Sequence, residues 1–145
     1  MANVNGVQIN QTPTIVEKAG AAIDDVRNKI LKYDTSGNVV LATAGTDIPV
    51  GIALVEAGYN DITGAESGKV ASGDDVDIQI KDIGYVVAGE AITKGQEVTA
   101  TTGGKATPAA AGNYVLGYAL NSAAANGMCK VQIAKYQKAP TVSNT

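Results

Sequence analysis

Histidine, tryptophan and phenylalanine are absent from this 145-residue chain, and cysteine occurs once. Without histidine, the commonest general base and metal ligand is missing, and no Ser–His or Cys–His nucleophile can be assembled within the chain. Cys129 has no partner for an internal disulfide, which suits folding in a reducing cytosol. It follows Met128 at the start of a predicted strand, where a cysteine is expected as a small buried hydrophobe rather than a reactive thiol. Basic clusters are lacking too: the 11 Lys and Arg are scattered and the formal charge is −3. Phosphate recognition needs clustered cations, so nucleic acid is not expected as a partner. No apolar run approaches the ~20 residues of a membrane-spanning helix. The opening MANVNGVQINQT lacks the apolar core of a signal peptide.

What the chain does contain is glycine, 17 residues of it, among alanine, valine and isoleucine. Many glycines with few charges predict many tight turns and hence many short strands. Small apolar side chains bury little area each, so a monomer built from them is thinly stabilised and association is expected. The organising feature is a duplication. Residues 101–120, TTGGKATPAAAGNYVLGYAL, lie over residues 35–54, TSGNVVLATAGTDIPVGIAL, at an ungapped offset of 66. Gly37/Gly103, Ala44/Ala110, Gly51/Gly117, Ala53/Ala119 and Leu54/Leu120 are identical. Outward of this core, AGAAI (residues 19–23) resembles AGEAI (88–92), and IQI (78–80) resembles VQI (131–133). Two copies are too few for a solenoid, so one pseudo-symmetric β domain is predicted.

Along the chain, residues 1–14 read as a polar arm, with Val4, Val7 and Ile9 as its only spaced apolar anchors. From Ile15 the apolar residues fall at helical spacing through Ile30. The second copy reads as strand and turn at the same place, which favours strand, with room for a short helical turn between Asp24 and Asn28. Short strands are predicted over residues 30–33, 39–42, 50–55, 75–81, 83–88, 97–100, 114–120 and 128–136, separated by turn residues. Val76, Ile78 and Ile80 alternate with Asp77, Gln79 and Lys81, as in a sheet with one face in the core and one in water. Residues 58–73 form an insertion of turn chemistry, with Tyr59 and Ile62 as candidate contacts to a subunit or partner. The tyrosines are expected to divide between core and interface. Residues 15–137 make one domain, and residues 138–145 read as a tail. The spacing of strands predicts an all-β sandwich or barrel-like domain with an internal pseudo-twofold.

Sites of chemistry read weakly. Asp24-Asp25 and Asp74-Asp75-Val76-Asp77 lack the spacing of a calcium loop, and the second is ordinary turn chemistry before a strand. Thr102-Gly103-Gly104-Lys105 lacks the phosphate-loop spacing and reads as a turn. Catalytic, metal and cofactor residues are therefore predicted to be none. Gly51 and Gly117 sit within strands, where glycine implies close approach or a bulge; their matched positions favour a structural bend over a ligand site.

Taken in order, AGAAI, TSGNVVLAT, PVGIAL, the alternating strand, AGEAITKGQEVT, GNYVLGYAL and the closing VQI resemble the capsid cement, or head-decoration, proteins of tailed bacteriophages over roughly residues 19–136. The resemblance implies a small β-rich domain, without catalytic residues, made in the host cytoplasm. It would bind the major capsid protein on the outside of the mature head, as a homotrimer at local threefold sites, and strengthen the shell. A head-fibre base or a carbohydrate-binding β module is the alternative. The first needs a stalk with heptads and the second leans on exposed aromatics, and the chain has neither heptads nor tryptophan.

Overall fold

A computed structural model describes residues 12–60 and 62–141, and these are almost wholly β. Ten strands follow in order: β1 (Thr14–Lys18), β2 (Ile30–Tyr33), β3 (Val39–Leu41), β4 (Gly51–Ala53), β5 (Asp75–Gln79), β6 (Ile83–Val87), β7 (Glu97–Ala100), β8 (Ala106–Pro108), β9 (Tyr114–Ala119) and β10 (Met128–Gln137). A single 3-10 turn, Thr102–Gly104, is the helical content of the described residues, and no helix is long and apolar enough to cross a membrane. The segment from Ile15 to Leu31 is strand, bridge and turn. Between Asp24 and Asn28 the chain makes a tight turn closed by the Lys29 amide on the Val26 carbonyl, with Asn28 at φ 57°, so no helical turn forms there.

The ten strands form two antiparallel five-stranded sheets packed as a sandwich-like pair. Their orders are β1-β5-β4-β2-β3 and β6-β10-β9-β7-β8. Adding five to each strand number of the first sheet yields the second, so the duplication extends to the topology. In both halves the two edge strands are joined by a parallel bridge, Ala19 to Val39 and Ala88 to Ala106. Each sheet thus curls until its edges meet, which leaves few free edge groups for unwanted pairing.

The pairing also corrects the alignment of the copies. Leu31 pairs with Leu41 and Gly51, whereas Val98 pairs with Pro108 and Gly117. The first two equivalences lie 67 apart and the third 66. Thr43 is the extra residue, and it is accommodated where its amide joins that of Ala44 in bonding the Asp47 carboxylate. Gly37 therefore matches Gly104, which likewise donates to the residue three before it, and not Gly103. Outward, Gln79 and Gln132 are equivalent: each carbonyl lies against the glycine of the neighbouring central strand. The largest difference is a loop. Fifteen residues separate Leu54 from Val70, where two separate Leu120 from Ala123.

Each half has its own apolar cluster. Leu31, Val39, Ala53, Val76 and Ile78 centre the first, and Val98, Ala106, Ala119, Cys129 and Val131 hold the equivalent places in the second. Alternation along β5 buries Val76 and Ile78 while leaving Asp75 exposed, as a half-buried pleat requires. The halves interlock: Ile30 and Ile52 of the first half are buried in the second half's cluster. Backbone bonds cross the seam from Val87 N–H to Asn28 C=O and from Tyr114 N–H to Gly45 C=O.

Candidate functional site

Of the groups that could carry chemistry, Cys129, Asp25, Asp74 and Asp75 are engaged structurally. Cys129 is buried and its thiol is pushed up by that burial. Asp25 accepts a fork from Arg27, with both nitrogen–oxygen distances 2.9 Å, and this bond holds its carboxyl below the usual range. Asp74 caps the Ala71 amide at 3.0 Å, and Asp75 pairs with Lys18 at 2.6 Å. Among the described residues no group of three or more His, Cys, Asp or Glu is arranged to hold a metal. The Thr102–Gly104 segment is a turn closed by Thr101 N–H on Lys105 C=O and is followed by β8, not by a helix.

Gly51 and Gly117 carry the same constraint in both halves. A Cβ on Gly51 would stand 2.1 Å from the Gln79 carbonyl oxygen, and one on Gly117 would stand 1.9 Å from that of Gln132. Neither residue has positive φ, and close approach of the next strand is what excludes a side chain at each.

The surface is where the aromatic residues lie. None of the tyrosines is in either core, contrary to the expected division. Tyr33, Tyr59, Tyr85, Tyr118 and Tyr136 are exposed and Tyr114 is half-buried. With no Phe or Trp, the cores are filled by aliphatic residues that need no polar partner, while each phenol keeps its hydroxyl at the surface. Tyr136 shows the pattern. Its hydroxyl donates to Glu97, which also pairs with Lys138 at 3.1 Å. The bond lifts the Tyr136 pKa to about 12 and lowers that of Glu97.

Two surface features stand out. The first is the insertion loop. Across its base Gly68 N–H donates to Tyr59 C=O, Tyr59 N–H donates to Lys69 C=O, and Val26 N–H reaches Gly68 C=O. Beyond that base, Ile62 is fully exposed, at 104%. Tyr59 borders an acidic hollow lined by Glu56, Asp74, Asp75 and Asp77. The structure therefore brings Tyr59 and Ile62 into one loop; Val4, Val7 and Ile9 lie outside the described residues.

The second feature was not visible in the sequence. An open groove of about 610 Å³ is walled by Ile15, Tyr33, Ile48, Pro49 and Ile80. Lys32 on its rim is paired with Asp47 at 2.8 Å. Lys135, in the same groove, donates to the Val50 carbonyl at 2.7 Å and has no carboxylate within ion-pairing distance among the described residues. Its pKa is lowered by burial. The wall residues come from four separate stretches of chain, and the exposed Ile48 before Pro49 was the only local hint. The charge, too, divides by half. Residues 14–81 carry eleven acidic and six basic side chains, and residues 82–141 carry three and five.

No curated protein matches this chain. Among solved structures, the head fibre gp8.5 N base of bacteriophage phi29 is similar in fold, with a TM-score of 0.61 at 21% identity over 83% of this chain and 92% of that one. A family model described as structural cement protein (E217 gp24/Pam3 gp6) matches residues 3–134. That span begins well before the resemblance at residue 19 and takes in the polar arm. The chain belongs to the phage structural cement protein family, and so is a phage structural protein.

Proposed function

We propose that this protein is a head-decoration protein that binds the outer surface of the mature icosahedral shell and stiffens it, as a homotrimer at local threefold sites. The family match over residues 3–134 carries the reading. What the geometry adds is an interlocked pair of β units that presents apolar groups on loops and grooves and holds Asp25 and Asp74 in structural bonds. Such a body acts by contact and not by turnover, and the major capsid protein is the partner. Avidity supplies the strength: three weak contacts engaged together bind ~10²–10⁴ more tightly than one. The arm enters as a shell contact, because Val4, Val7 and Ile9 can add to a groove or sheet edge on the shell without needing a core of their own.

Co-sedimentation with undecorated, expanded capsids tests this reading. Full-length protein should pellet with the shells and raise their resistance to heat or chelation. A truncation starting at Thr14 should fold and bind more weakly. Absence of binding by the full-length protein would remove the decoration reading, and equal binding by both would remove the arm from it.

A further inference from the structure

The seam within the chain joins two unlike surfaces, a face on the first half and a socket on the second. The face is Ile30, Ala42 and Ile52, buried in the second half's apolar cluster with Ala100, Leu116 and Ile133. Ile52 meets the socket at Gly84, where an added Cβ would stand 3.1 Å from its Cδ1. Tyr114 N–H closes the rim on Gly45 C=O.

Because the halves share one fold, face and socket each have a counterpart, and both counterparts are open. By strand pairing, Gly84, Ala100, Leu116 and Ile133 correspond to Ile15, Tyr33, Val50 and Ile80. Those four residues line the groove beside Lys135. Ile30 and Ile52, which pair with each other, correspond to Glu97 and Tyr118, which also pair. Ala42 corresponds to Ala109, each donating its amide to the first residue of that pair. Tyr118 is exposed, and Glu97 and Ala109 are half-buried. One face and one socket are therefore joined inside the chain, and one of each is left over.

We propose that the Tyr118 face of one copy seats in the Lys135 groove of a second copy, repeating between chains the contact that joins the halves within a chain. This rests on the trimer reading above and names the junction that would build it.

Two observations select a second copy as the occupant. The first is the frame. The strands that present Tyr118 and Glu97 are equivalent to those that present Ile52 and Ile30 to a socket of this same fold. The second is charge. Lys135 bonds the Val50 carbonyl and has no carboxylate within ion-pairing distance among the described residues, while Lys32 beside it is paired with Asp47. The face brings a carboxylate, Glu97, in the place of Ile30. Glu97 already meets Tyr136 and Lys138, and a carboxylate keeps acceptor positions for a further cation. Opposite charges across a junction fix its register. Larger groups face each other here than at the seam, since Tyr118 stands for Ile52 and Ile15 and Tyr33 stand for Gly84 and Ala100. The copies therefore stand further apart, as an interface and not a second shared core. A contact between two different surfaces is heterologous; it closes into a ring when its rotation permits and otherwise runs on as a filament.

The experiment uses the full-length chain. Tyr118→Cys and Ile15→Cys variants are made separately, these being the counterparts of Ile52 and Gly84; the native Cys129 is buried and does not compete. Mixed and oxidised, the two should give a disulfide-linked dimer that neither gives alone. Cross-linking by Tyr118→Cys alone would show that like faces meet and overturn the proposal, as would no cross-link in the mixture. Solution mass provides the second arm, with surface variants that should keep the wild-type circular dichroism. Tyr118→Asp spoils the face and Lys135→Glu spoils the groove, and each should weaken association by at least about tenfold, as loss of a central interface contact does. Mixed together, the two should associate in pairs, because the groove of the first and the face of the second are both intact. A wild-type oligomer undisturbed by either variant overturns this contact while leaving the trimer standing. A wild-type monomer that still coats shells overturns the contact but not decoration. An oligomer weakened by both variants, whose wild-type form fails to coat shells, supports the contact and removes decoration.

Discussion

The two halves of this molecule share one blueprint and differ in what they show to the outside. Strand order, edge closure, pairing around the central glycine and the positions of core residues all coincide. Polar residues outside the cores, half-buried or exposed, do not. Asp47 of the first half stands where Asn113 stands in the second, each bonding the amide three residues before it. Asp77 stands where Lys130 stands, each carbonyl receiving the amide of the equivalent leucine, Leu54 or Leu120. The first half alone extends the long loop. Duplication preserved what packs and released what faces water, so the differences between the halves mark the surface free to acquire partners.

Removing a side chain that one half lends to the other is the severest way to break the comparison. Ile30→Ala and Ile52→Ala each empty part of the second half's core from the first. We expect each to cost about 2–5 kcal/mol, the range for burying a cavity of that size. Urea unfolding should remain a single transition. Two separate transitions would show that the halves fold independently.

Gly51→Ala and Gly117→Ala come next. Each forces a methyl to about 2 Å from a backbone carbonyl oxygen that has no rotamer to escape to. Overpacking of this kind costs about 3 kcal/mol, and the two values should agree closely. A neutral result at one site would end the equivalence of the central strands.

A smaller effect is expected at Asn28 and Gly95, which are equivalent turn positions with φ 57° and 93°. A Cβ at Gly95 meets nothing within 4 Å, so Gly95→Ala measures backbone strain alone, about 1 kcal/mol. Asn28→Ala should cost more, because its side-chain amide also donates to the Tyr85 carbonyl at 3.0 Å across the seam. Equal losses would show that the seam bond contributes nothing to stability.

The smallest effect separates the halves by pH. Burial raises the Asp47 pKa, but the Lys32 bond and the Thr43 and Ala44 amides outweigh it and leave the group lowered. A lowered folded pKa means that the stabilisation is present above the unfolded value, about 3.9, and is lost as the pH falls through it towards the folded one. Asp47→Asn imports the second half's residue and should flatten the acid limb of a stability–pH profile below about pH 4. An unchanged limb would show that other carboxylates set acid sensitivity.

Much of the fold was legible because its signals are local. The repeated small-residue strands, the turn glycines and the alternation at Val76 and Ile78 each reflect a constraint that adjacent residues impose on one another. The one-residue slip in the alignment had a local cause as well. Gly103 and Gly104 both adopt φ 73°, so either could match Gly37 by eye, and only the strand pairing chooses Gly104. The candidate site was half legible. A turn-rich insertion with Tyr59 and Ile62 announces itself as a loop, since nothing in it alternates and nothing in the other copy matches it.

By itself, then, the sequence determined an all-β duplicated domain without histidine chemistry, because those properties follow from composition and from patterns a few residues long. Only the tertiary structure decided that every tyrosine stays out of the cores and that Ile30 and Ile52 serve the opposite half. It alone drew Ile15, Tyr33, Ile48, Ile80 and Lys135 into one groove. Those outcomes depend on which faces meet when two curled sheets pack. That packing is set by contacts between residues as far apart in the chain as Val50 and Lys135, a separation across which no local pattern carries information.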